Sequence, residues 1–210
     1  YSNGVFAQSR LLRRSADGAT PAVDLDARGF KATSWSPDGK TLLLHSYRPT
    51  NDNVLALSMT GSGEPEPLLA TPSDEFAATL SPDGRWLAYM SDESGRFEAY
   101  VRPFPDVDGG KWLISTDGGV FPRWTRGGRE LVYRSGTKLM AVSVSPGAAF
   151  APGRPEVLWD RAYFTRQRLR DFDVSADGER SLFLREEGGV AIVLVQNWSE
   201  EVKAKVGSPP

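Results

Sequence analysis

His45 is the one histidine of this 210-residue chain, and there is no cysteine. A single imidazole leaves a Ser-His-Asp triad one possible base. The lack of thiols excludes cysteine nucleophiles and Cys-ligated zinc or iron–sulfur centres. His45 closes the apolar run TLLLHS at 41–46, at a position matched by Met90, Arg134 and Leu184 in related runs. It is therefore expected to be a packed structural histidine. No Gly-x-Ser-x-Gly elbow, kinase Gly-rich loop, His-Arg-Asp loop or Asp-Phe-Gly occurs, and each of those chemistries needs its motif. Glycine pairs at 109–110, 118–119, 127–128 and 188–189 fall in hairpins or loops rather than at strand-to-helix junctions, which argues against phosphate cradling. The expectation is a chain with no catalytic residue, no metal and no cofactor.

The densest set of interaction-prone side chains lies within residues 160–171, where Arg161, Arg166, Arg168 and Arg170 surround Tyr163 and Phe164. Arginines beside aromatics can engage carboxylates or phosphates while the rings supply contact area. The alternative is a solvated loop whose rings cover the structure below. Lys plus Arg is 25 against 27 Asp plus Glu, for a net charge of −2. That balance speaks against a nucleic-acid partner. The longest apolar stretch, 190–195, is strand length, so no membrane span is expected.

Whatever these residues do, a repeat positions them. Ser36-Pro37-Asp38-Gly39 recurs as Ser81-Pro82-Asp83-Gly84, with degraded copies at Thr125-Arg126-Gly127-Gly128 and Ser175-Ala176-Asp177-Gly178. A strand-like apolar run follows each copy. A period in the mid-forties with four short strands per unit is the pattern of a β-propeller blade. The motif suits a hairpin turn: Pro presets φ, Ser and Asp bond nearby N–H groups, and Gly adopts the left-handed conformation. Asp38, Asp83 and Asp177 are thus assigned to turns rather than to chemistry. A further Ser-Ala-Asp-Gly at 15–18 lies half a period earlier, where a third-to-fourth-strand turn belongs.

The chain is read as all-β, a β-propeller of four-stranded antiparallel blades. A partial blade covers 1–26, full blades cover 30–70, 76–116 and 120–160, and a three-stranded blade covers 171–198. A polar tail occupies 199–210. Seventeen strands are expected. The incomplete first and last blades suggest a C-terminal fragment of a larger propeller, whose open edges would take the missing blades or a second copy.

The strings LSPDGRWLAYMSDESGRFEAYVRPFP at 80–105, GGKWLISTDGG at 109–119 and PRWTRGGRELVY at 122–133 resemble the WD-like, TolB-type propeller repeats of bacteria. DFDVSADGERSLFL at 171–184 with VLVQNWSEEVK at 193–203 is similar to the end of propellers fused to bacterial serine/threonine kinases. The resemblance implies a non-catalytic sensor or binding module, periplasmic or otherwise extracytoplasmic, in a larger signalling protein. The alternative is the accessory propeller of a prolyl-oligopeptidase-type serine hydrolase. In such a disc the variable loops share one face, here 47–53, 71–75, 92–96 and 160–171, and carry specificity. Candidate binding residues are Trp35 and Trp124, on first strands that line a central channel, with Glu75, Tyr163, Phe164, Arg166, Arg168 and Arg170 on the loops. The partner would be a protein or a small molecule.

Overall fold

The computed structural model describes residues 10–46, 52–61, 63–145, 147, 149–160, 170–186 and 190–196, the last segment and 185–186 as backbone only. These residues form antiparallel strands with one 3-10 turn, Arg126–Gly128, and no α-helix. No helix among them is long and apolar enough to cross a membrane. The tail at 199–210 lies outside the described residues.

A two-stranded sheet pairs β1 (Arg10–Arg13) with β2 (Val23–Arg28). Three four-stranded sheets follow. The first holds β3 (Phe30–Trp35), β4 (Thr41–Ser46), β5 (Val54–Ser58) and β6 (Glu66–Leu69). The next holds β7 (Glu75–Leu80), β8 (Trp86–Ser91), β9 (Glu98–Pro103) and β10 (Trp112–Leu113), and the third β11 (Val120–Thr125), β12 (Glu130–Ser135), β13 (Lys138–Ser143) and β14 (Glu156–Asp160). The last sheet pairs β15 (Phe172–Val174), β16 (Arg180–Glu186) and β17 (Val190–Gln196). Every neighbour within a sheet is sequential, so each sheet is a meander. The first strands touch across sheets, β3 to β7, β7 to β11 and β11 to β15. First strands therefore stand innermost around a common axis, as the blades of a partial β-propeller.

The core lies between sheets rather than beneath one, which explains why both faces of each second strand are apolar. Leu43 packs with Ala78, Leu87 and Tyr89 of the following blade. Ala88 packs with Leu131 and Tyr133, and Val132 with Phe172 and Phe183. Trp86, Trp112, Trp124 and Phe150 form an aromatic cluster, with the Trp86 and Trp112 rings edge-to-face at 5.6 Å.

The repeated motif is a local network and also a joint between blades. Ser36 Oγ donates to Asp38 Oδ1 (2.6 Å), the Lys40 N–H donates to the same oxygen (3.0 Å), and the Thr41 N–H donates to Ser36 Oγ (2.9 Å). Ser81, Asp83 and Trp86 repeat this pattern, and so do Ser175, Asp177 and Arg180 without the proline. Gly84, at φ 72°, lies where a Cβ would stand 3.3 Å from Pro37 Cδ of the preceding turn. Gly128 meets Pro82 in the same way, at 3.2 Å. In the third copy Arg126 takes the proline's place with φ 51°, and its side chain abuts Gly178.

Candidate functional site

Each complete blade carries a β-bulge at the same place in its first strand. The register slips between Ala32 and Ser34, between Phe76 and Thr79, and between Val120 and Arg123. A bulge inserts a residue, bends the strand and re-aims its side chains. Ala77 and Phe121, equivalent residues of successive blades, are held at φ 55°. That conformation costs a non-glycine residue of order 1–3 kcal/mol and persists only where the surroundings enforce it.

The three bulges enclose a cavity of about 140 Å³ on the axis. Phe76, Ala77, Ala78, Phe121 and Pro122 supply its apolar wall. Lys31, Arg123 and Arg170 supply its charge, and His45 stands beside Phe76 with ring centroids 6.1 Å apart. The cavity sits toward the end of the inner strands where blade-to-blade connections enter, the face on which variable loops were expected. Asp173, on β15, takes Arg123 Nε at 3.4 Å and Arg170 Nη1 at 3.9 Å. Burial lowers the pKa of Arg123, and the Arg170 guanidinium lowers it further, against the opposing pull of Asp173. Behind this layer Arg134 and Asp171 pair at 3.2 Å, both largely buried.

Of the residues singled out from sequence, His45 and Arg170 lie on the cavity. Tyr163, Phe164, Arg166 and Arg168 lie outside the described residues. Trp35, at the turn end of β3, is half-exposed and absent from the cavity wall. Trp124 turns into the aromatic cluster, and its Nε1 donates to the Thr79 carbonyl at 3.3 Å. Glu75 is buried and accepts a hydrogen bond from Thr71 Oγ1. Burial raises its pKa, with the Thr71 hydrogen bonds opposing. Glu98, another buried carboxylate, accepts from Arg96 Nε (2.6 Å) and from Ser115 Oγ. His45 is buried on β4, in the packed position expected of it. Lys31 and Arg123 were missed because isolated cations on short strands carry no sequence signal. Their alignment with the bulge of Ala77 and Phe121 emerges only in three dimensions. Among the described residues no group of three His, Asp or Glu side chains is placed to hold a metal ion.

No family model matches the chain, and no curated protein matches it. Solved structures do. TolB from Acinetobacter baumannii is 15% identical, with a TM-score of 0.63 over 87% of this chain and 44% of its own. A puromycin-hydrolyzing peptidase from Mycobacterium tuberculosis is 17% identical, with a TM-score of 0.64 over 91% of this chain and 37% of its own. The β-propeller domain of the Trilobed protease from Pyrococcus furiosus, which has an open velcro topology, is 10% identical, with a TM-score of 0.51 over 89% and 60%. The chain thus spans less than two thirds of each of these three proteins. At these identities the likeness establishes the fold alone, a partial β-propeller.

Proposed function

We propose that the chain is a non-catalytic binding module of a larger bacterial signalling protein, such as an extracytoplasmic propeller joined to a serine/threonine kinase. The observation that carries this reading is the axial cavity, built by bulged strands of successive blades and walled by rings and cations. Strained backbone maintained at two matching positions supports a site rather than a packing accident. Tyr163, Phe164, Arg166 and Arg168 are proposed as further contacts for the partner. A photo-crosslinking side chain placed at Thr33, beside the cavity, should join the chain to a defined species in the producing cell. The same probe at Lys40, on the turn face, should not. Equal labelling at both positions contradicts the reading.

A second reading is the accessory propeller of a prolyl-oligopeptidase-type serine hydrolase. The likeness to the puromycin-hydrolyzing peptidase favours it, since the shared region is 37% of that protein. Sequencing the gene on both sides of these residues separates the two. A Gly-x-Ser-x-Gly domain selects the hydrolase, and kinase motifs select the signalling protein.

A further inference from the structure

Three cations line the axial cavity, and among the described residues no carboxylate does. Asp173 answers Arg123 and Arg170 together, while Lys31 makes no ion pair among the described residues. Among the described residues the local balance is three positive charges against one negative, an excess of two. Like charges held against an apolar wall repel more strongly than they would in water. Lys31 and Arg170 are exposed, so both charges remain open to an incoming anion.

The wall specifies the kind of anion. Phe76 and Phe121 are both nearly fully buried, with ring centroids 6.5 Å apart. With Ala77, Ala78 and Pro122 they form an apolar waist, while Lys31 comes from β3 and the arginines from β11 and the approach to β15. A void of roughly 150 Å³ accommodates a benzene-sized body, and this one is about 140 Å³. Inorganic phosphate would satisfy the charges but gain nothing from the waist. A short carbon chain with an acidic group at each end would use both.

We propose that the axial cavity binds a small organic dianion, one carboxylate held by Lys31 and the other by Arg123 and Arg170, its carbon chain lying against Phe76 and Phe121. Guanidinium suits the second group because its planar fork bonds a carboxylate in two places. Lys31 reaches the first as a flexible point charge. This ligand deepens the binding-module reading and rests on it.

Titration calorimetry of the full chain with glutarate, at constant ionic strength, tests the assignment, with inorganic phosphate and neutral glutaramide as comparison ligands. Glutarate should saturate one site and bind at least tenfold more tightly than phosphate, and glutaramide should not bind. Lys31→Gln and Arg170→Gln should each weaken glutarate about tenfold, the scale of one charged hydrogen bond, and leave the ligand-free Tm in place. Both side chains are partly exposed, so folding of these variants is not at stake. Phosphate binding as well as glutarate, or variants binding as well as the parent, overturns the dianion. Absence of glutarate binding with position-33 crosslinking intact overturns the ligand alone. Absence of both overturns the module reading with it.

Discussion

At the residue scale, the Ser-Pro-Asp-Gly turn shows how far a sequence motif can be read. Its Asp and Ser roles follow from turn chemistry, and three copies show the same bonds. The use of Pro as a contact for the next blade's Gly does not follow, because it depends on blade spacing. Gly39 and Gly84 separate the two effects. Both have φ near 70°, but a Cβ at Gly39 meets nothing within 4 Å, whereas at Gly84 it meets Pro37. Gly39→Ala should cost about 1–2 kcal/mol for the left-handed backbone alone. Gly84→Ala should cost more, and Pro37→Ala in the same chain should recover the difference. Equal losses in urea unfolding would deny the contact. Glu75 makes the converse point, since a loop carboxylate that looked available is sealed inside. Its pKa is raised above the ordinary 4.5 by burial. The folded state is therefore penalised once pH passes the unfolded value, and stability falls as pH rises through the folded one. Glu75→Gln removes that penalty while keeping an acceptor for Thr71. The variant should exceed the parent in Tm at pH 7 and match it at pH 4; a lower Tm at pH 7 would mean the ionised form is needed.

At the element scale, strand positions were legible because each apolar run starts a fixed distance from a turn glycine. Bulges were not. Bulges with left-handed residues usually announce themselves with glycine, but here the φ 55° positions carry Ala77 and Phe121. Their side chains wall the cavity, which gives a reason for the strained choice. Ala77→Gly tests the strain directly. It relieves a left-handed alanine, worth about 1–2 kcal/mol, and gives back part of that in unfolded-chain entropy. The net expectation is a gain of up to about 1 kcal/mol in unfolding free energy. Any loss would mean that the Ala77 methyl contributes more by packing than its backbone costs. The same logic explains why Lys31 and Arg123 escaped notice: strand alternation assigns a face, while the bulge moves the side chain off it.

At the scale of the whole molecule, the blade-to-blade core leaves one apolar position of the repeat uncovered among the described residues. Leu43, Ala88 and Val132 are the fourth residue after each turn glycine, face the following blade, and are wholly buried. Leu182 is their equivalent on β16 and is 38% exposed. At the other end of the arc Leu12 and Val23 are more than half exposed. Repetition in the sequence made the blades legible, but every copy of a repeat looks alike, so the position that lacks cover shows only in the assembled structure. A further blade, or a second copy joined head to tail, would cover this surface. Two measurements bear on it together. Leu43→Ala should cost about 2–5 kcal/mol, as for a buried leucine, whereas Leu182→Ala should cost less than about 1 kcal/mol in the monomer. Light scattering should give a mass above the 23.0 kDa of one chain, with Leu182→Glu lowering it to one chain. A parent that stays at one chain at its highest soluble concentration would mean that the face is tolerated bare. A Leu182→Ala loss as large as that at Leu43 would mean that it is already covered within the chain.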